Sequence, residues 1–335
     1  MKLEDIPFDV TRPLEPKGPG LGALRGGPAA RRRFVAHWIA DPLQGGINLV
    51  THHALRLLPS PWCTRFGGAM AGLARTRFAQ RPFALRIAAN LSALRPDLAA
   101  DPDAFRDSHA RWWANAGRAY AEYSVVGRLW HEGRVEVAGM EHLDAAQKTG
   151  RPLVFAGVHL GNWELVFVAL QNLPEKPMCG TFQPEPNRFA NTVVHNLRKR
   201  YGGYVFPPGK RSAMHIVRIL KSGAANLVMF VDEVRGFQIH LPLLGRRPPE
   251  RGNAVNVLKI ARVTNAVILP VYMLRLKDSR FRLTILPPFE PEASGDAERD
   301  LPRNVTGLND IFEPVIRANV EQWHMLPELR LPPGA

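Results

Sequence analysis

From residue 134 onward, short apolar runs alternate with amphipathic stretches, and that alternation most limits what the chain can fold into. Strand-like runs fall near 134–138, 153–156, 176–181, 204–206, 226–231, 266–272 and 281–285. Helical periodicity falls between them, near 161–172, 187–200, 212–222, 253–264 and 304–319. Strands that take turns with helices of this length call for an α/β fold: a mixed, partly parallel sheet flanked by helices. Ser212 reads as a helix N-cap, and Gly223 as the residue just past that helix. The sheet region gives an α/β domain over 131–330.

Ahead of it, residues 34–130 read as helical. Arg65 to Gly127 is rich in Ala and Arg and breaks at Arg95-Pro96-Asp97; its Trp112, Trp113, Tyr120 and Tyr123 fit core positions. From Phe34 to Leu58 the apolar residues are interrupted by His37, Asp41, His52, His53 and Arg56. That mixture suits an interfacial amphipathic segment or an ordinary packed helix pair. Residues 1–33, dense in Gly, Pro and Arg, are expected to form a flexible leader. No stretch of 18 apolar residues exists, and Met1–Val10 carries three acids and no apolar h-region.

In an open sheet, functional groups gather beyond the carboxyl ends of the strands. His159 stands there, after the run Leu153–Ala156 and between Gly157 and Gly161, with Glu164 opening the next apolar helix. A histidine can accept a proton at neutral pH, and a carboxylate beside it would hold the ring. The spacing proves little by itself, because His131 and Glu136 share it. Context favours His159: a loop histidine and a carboxylate in the first helical turn can converge. Two further acids, Asp232-Glu233, follow the strand run Asn226–Val231, and that position favours a site role for Asp232.

Partners are bounded by charge and cysteine usage. The 335 residues carry a formal charge of +14, which favours something anionic: nucleic acid, lipid headgroups or an acidic protein. Arg31-Arg32-Arg33, Arg198-Lys199-Arg200 and Arg246-Arg247 are equally well read as solvated basic faces. No nucleic-acid motif accompanies them, and no nucleic-acid partner is expected. Cys63 and Cys179 are isolated, so neither a disulfide framework nor a metal site is expected, and the residues call for no cofactor. No G-x-S-x-G elbow occurs.

The ordered set Arg134-Val135-Glu136-Val137-Ala138-Gly139-Met140-Glu141-His142-Leu143, then His159-Leu160-Gly161-Asn162-Trp163-Glu164, resembles the bacterial late acyltransferases of lipid A biosynthesis. The likeness runs from about Asn90 to Trp323. It continues through Asn187, Arg198 and Gly202; Leu220-Lys221-Ser222-Gly223; Asp232 and Gly236; and Leu241-Pro242-Leu243-Leu244-Gly245. It ends with Pro270, Asn309, Glu313, Ile316, Arg317 and Glu321-Gln322-Trp323. The resemblance implies an O-acyltransferase at the cytoplasmic face of the bacterial inner membrane. It would move a fatty acyl chain from an acyl-carrier-protein or CoA thioester to a hydroxyl of an anionic membrane lipid, a lipid A precursor first of all, without an acyl-enzyme. By position, His159 would be the general base and Glu164 its partner, with Arg198, Asp232, Asn187 and Asn162 binding substrate. Phe155, Trp163, Phe167 and Phe182 are candidate liners of the acyl pocket, and core packing explains each equally well.

Three departures bear on the acceptor. Val234 stands where many relatives have a second Asp, Glu250-Arg251-Gly252 replaces threonines, and His324-Met325-Leu326-Pro327-Glu328 replaces an aromatic and basic ending. Another glycolipid, a lysophospholipid or an aryl-polyene lipid therefore remains open as acceptor. So do a thioesterase using His159 on water, and a non-catalytic basic protein associated with membrane or nucleic acid.

Overall fold

A computed structural model describes residues 2–15 and 17–331. Among the described residues, short 3-10 turns open the chain and seven α-helices precede the sheet: α1 (Pro28–Val35), α2 (Asp41–Leu57), α3 (Ser60–Phe78), α4 (Pro82–Leu94), α5 (Pro96–Ala99), α6 (Pro102–Glu122) and α7 (Val126–His131). The sheet region follows as β1 (Val135–Ala138), α8 (Met140–Lys148), β2 (Leu153–Gly157), α9 (Trp163–Asn172), β3 (Met178–Thr181), α10 (Arg188–Arg200), β4 (Tyr204–Phe206), α11 (Lys210–Lys221) and β5 (Asn226–Phe230). A small antiparallel ribbon, β6 (Val234–Arg235) and β7 (Gln238–Ile239), precedes α12 (Asn253–Thr264), β8 (Val267–Arg275), β9 (Phe281–Ile285) and α13 (Ala297–Ala318).

The large sheet has the order β1-β9-β8-β2-β5-β3-β4. Every pairing in it is parallel except β8 with β9. The α/β expectation therefore holds, with strands and helices close to their expected places. Central strands β2 and β5 are almost wholly apolar because helices cover both faces of the sheet.

Two boundaries move for identifiable reasons. Helix α11 starts at Lys210 behind Gly209, so Ser212 lies inside the first turn and does not cap it. Gly223, at φ +67°, does sit just past the end. Helix α13 starts seven residues before the expected 304, because the Asp296 carboxylate caps it by accepting the amides of Glu298 and Arg299.

The amino-terminal segment expected as a flexible leader has a packed start. Leu3, Ile6 and Thr11 are buried, and Phe8 packs against His195 of α10 and Tyr204 of β4. Helices α3 and α6 cross at Gly67 and Gly117, where a Cβ on either would collide with the other's backbone. Among the described residues, no helix is long and apolar enough to cross a membrane.

Candidate active site

Strand register builds the centre. Parallel neighbours β2 and β5 align Gly157 with Phe230. Two residues further along each chain, His159 meets Asp232, although 73 positions separate them. His159 Nδ1 lies 2.7 Å from Asp232 Oδ1, and the His159 amide donates to Asp232 Oδ2 at 2.9 Å. Trp323 Nε1 donates to the same Oδ2 at 2.8 Å. Asp232 is fully buried and His159 nearly so. With Nδ1 donating to the carboxylate, the imidazole keeps its Nε2 lone pair free. That nitrogen sits 3.9 Å from Glu233 Oε2, and both side chains line one cavity. Burial pulls the His159 pKa down, but Asp232, aided by Glu233 and Glu164, outweighs it and leaves the value above the usual 6.5.

Glu164 belongs to a different network, which corrects the pairing expected from the five-residue spacing. It lies in the first turn of α9, after Gly161 turns the chain at φ +62°. A Cβ on Gly161 would press on the Met273 carbonyl at 2.7 Å, so glycine suits the turn. From α9 the Glu164 carboxylate reaches Arg198 of α10, with Nε to Oε1 and Nη2 to Oε2 both at 3.0 Å. Tyr123 donates to Oε2 at 2.9 Å, and Tyr201 donates to Oε1. Burial pushes the Glu164 carboxyl up, but the Arg198 charge and these donors hold it below the ordinary carboxylate value. Both phenols are pushed well above 10, by burial first and then by the carboxylate, so they remain donors.

Arg198 sits over the Phe182 ring at 4.7 Å, and its Nη1 is buried without a partner among the described residues. Desolvation works against its charge, yet Glu164 keeps its pKa well above the usual value. The two networks share the cavity wall: His159, Glu164, Arg198 and Glu233 all line it.

Asn162 and Asn187 are placed as helix caps. Asn162 caps α9 by accepting the Leu165 amide at 3.1 Å, and it donates to Glu122 at 3.0 Å. It is 1% exposed, so it shapes the His159 loop from behind. Asn187 caps α10 through the amides of Phe189 and Ala190 and donates to the Asp41 carbonyl. The other histidine–glutamate pair of equal spacing makes no site: Glu136, on β1, pairs with Arg282.

The cavity holds about 940 Å³. Leu55, Phe66, Met70 and Ala121 of the helical region line it together with Phe167, Val205, Val228 and Phe230 of the α/β region. Of the four aromatic residues proposed as liners, Trp163, Phe167 and Phe182 reach it, while Phe155 is fully buried in the core. Sequence reasoning gave no site role to Tyr123, Tyr201, Glu233 or Trp323. The sequence places Tyr123 among core aromatics and Trp323 within the resemblance, and only the folded chain brings their polar ends to the two carboxylates.

A family model described as "Bacterial lipid A biosynthesis acyltransferase" matches residues 46–330. The chain belongs to this family. Among curated relatives, "Lipid A biosynthesis palmitoleoyltransferase" of Escherichia coli (strain K12) is 28% identical over 203 residues, covering 58% of this chain and 62% of that protein. "Lipid A biosynthesis acyltransferase" of Shigella flexneri gives the same figures. The match to each of these lipid A acyltransferases thus spans less than two thirds of the relative's length. The motifs of the resemblance acquire structural reasons here. Asn309 and Glu313 of α13 accept the amides of Leu243 and Leu244, tying the Leu241–Gly245 loop to that helix.

Proposed function

We propose that the protein is an O-acyltransferase that takes a fatty acyl chain from a carrier-protein or CoA thioester. The acceptor in this reading is a hydroxyl of a membrane lipid, a lipid A precursor in the first place. The observation that carries it is the His159–Asp232 pair, which leaves Nε2 as the basic atom beside a cavity that is apolar over most of its wall and large enough for an acyl chain.

In the reaction the acceptor hydroxyl gives its proton to Nε2 as its oxygen attacks the thioester carbonyl carbon. The imidazolium formed is stabilised by Asp232, as in other histidine–carboxylate bases. The tetrahedral oxyanion then collapses: the carbon–sulfur bond breaks, the ester remains on the acceptor, and the thiolate takes the proton from Nε2. Arg198 supplies a fixed positive charge in the wall, and its unpartnered Nη1 suits an oxyanion or a donor phosphate. Direct transfer agrees with the state of the cysteines. Neither lines the cavity, Cys63 is held against the Leu55 carbonyl, and burial pushes the Cys179 thiol up to about 12.

Membrane attachment at the cytoplasmic face of the inner membrane is part of the same reading. Helices α2 and α3 expose Leu43, Ile47, Val50, Leu57, Trp62, Phe66, Met70 and Leu73. Phe66 and Met70 also line the cavity, so a lipid-facing patch would continue into the reaction chamber. The overall positive charge suits anionic lipid and an acidic carrier protein.

The test incubates the detergent-solubilised protein with acyl-carrier-protein thioester or acyl-CoA and a lipid A precursor. Acyl transfer that is lost in both His159→Ala and Asp232→Ala supports the reading. An active His159→Ala protein, or no transfer from either donor, defeats it.

A further inference from the structure

We infer that Trp323 is a positioning residue of the reaction centre: its indole N–H fixes the Asp232 carboxylate, and through it the orientation of His159. The inference rests on the acyl-transfer reading above. It assigns a task to the carboxyl-terminal segment, which contributes no reacting atom to that scheme.

Asp232 is completely buried, and its oxygens are shared unequally. Oδ1 faces His159 Nδ1, while Oδ2 accepts from the His159 amide and from Trp323 Nε1. Without the indole donor, Oδ2 keeps one hydrogen bond and the carboxylate can rotate about its Cβ–Cγ bond. A buried acceptor stripped of a donor is costly, more so when charged, so this contact holds the carboxylate plane.

Trp323 is itself held on every side. It is fully buried, and its carbonyl accepts Trp112 Nε1 from α6 at 2.9 Å. The segment around it is stitched to the histidine loop. The amide of His324 donates to the His159 carbonyl at 2.9 Å, the amide of Gly161 donates to the Gln322 carbonyl at 3.1 Å, and Leu160 and Trp323 form a β-bridge. Gln322 is anchored in turn to Arg275 at the end of β8, accepting its amide and donating to its carbonyl. Residues 322–324 therefore run as a strap across the loop that carries the base. The indole is the one side chain of the strap that reaches the orienting acid.

Other charged or titratable groups around His159 come from several elements. Asp232 and Glu233 follow β5, Glu164 lies on α9, and His324 is on the strap. Arg198 of α10 bears on Glu164 and Glu233. Of these groups the Trp323 indole hydrogen-bonds Asp232 alone, so a displaced pH profile in a variant that removes the N–H reports on Asp232.

The experiment replaces Trp323 with 3-benzothienylalanine, which keeps the ring volume and puts sulfur in place of the N–H, alongside Trp323→Phe. Transfer is measured from thioester to acceptor across pH, with donor and acceptor KM and the melting temperature. Losing one hydrogen bond to a charged group predicts a kcat about 10- to 100-fold lower. Both KM values stay near those of the parent. The acidic limb of kcat/KM moves downward, because a carboxylate free to turn stabilises the imidazolium less. A benzothienylalanine protein with parental kcat and pH profile overturns the inference, as does a loss confined to melting temperature. If the parent protein itself transfers no acyl chain, the acyl-transfer reading fails first and separately.

Discussion

Glu164 and Arg198 form a two-point ion pair, both contacts at 3.0 Å, in a pocket where two tyrosines also donate to the carboxylate. No hydrogen bond joins this pair to His159, although both line the same cavity. The His159 ring answers to Asp232, and Glu164 answers to α10. Replacing Glu164 by Gln leaves the Arg198 charge buried and uncompensated, and breaking such a pair costs about 3–5 kcal/mol. We expect Glu164→Gln to lower stability and turnover together, read by denaturant melting and by the transfer assay. Full stability with lost turnover would instead place Glu164 in the chemistry.

Asp232→Asn should behave differently. The amide fits the same space but can offer an N–H toward Nδ1, favouring the wrong tautomer and moving the proton to Nε2. Loss of the carboxylate in a comparable histidine–acid pair costs about 10⁴ in turnover. We expect a fall of about 10³ to 10⁴ in kcat with the fold retained by circular dichroism. A fall under tenfold would remove Asp232 from the role of orienter.

The raised pKa of His159 gives two opposite pH dependences. Only the neutral imidazole accepts a proton, so kcat/KM should rise with pH through a limb above 6.5. Folding runs the other way. A group whose folded pKa exceeds its unfolded value stabilises fully below the unfolded value, and that contribution disappears as pH rises through the folded value. Near neutrality and just above it, activity should therefore grow while this part of the stability declines. A pH–rate profile and chemical denaturation over the same range check both; a limb below 6.5 would contradict the geometry.

Another buried ion pair ties the helical region to the sheet. Glu122 of α6 accepts both guanidinium ends of Arg275 and also receives Thr64 and Asn162. Glu122→Ala should cost about 3–5 kcal/mol, since the cation is left buried. It should also loosen the loop between His159 and α9, because Asn162 loses its anchor. Melting temperature and kcat are both expected to fall, and a stability change under about 1 kcal/mol would refute the account.

Much of this was legible in the sequence because the deciding signals are local. Seven strands and five helices of the α/β region could be placed from apolar runs and their spacing, and His159 and Asp232 were both seen beyond strand ends. Which acid serves the histidine was not legible. That depends on β2 and β5 being sheet neighbours in a register aligning Gly157 with Phe230, a relation between segments about 70 residues apart. The ribbon β6–β7 has two-residue strands, too short to leave a period. Asn162 and Asn187 carry a polar signal that does not disclose their helix capping, which only the backbone around them shows. The packed start of the chain was hidden because Leu3 and Ile6 are isolated among polar neighbours.

The apolar face of α2 and α3 offers the last prediction. Leu43, Val50 and Leu73 are 66%, 70% and 64% exposed, and none of them lines the cavity, so they can be altered without touching the chamber. Burying one such side chain in an apolar phase is worth about 1.5–3 kcal/mol, less where only part of it enters the bilayer. The triple change to Gln should lower binding to vesicles containing anionic lipid by about a hundredfold or more in a flotation assay. Transfer to an acceptor dispersed in detergent should stay near the parental rate, because His159, Asp232 and Arg198 are unaffected. Parental vesicle binding by the triple variant would move the attachment surface elsewhere, with the basic clusters next to be tested by raising the salt concentration.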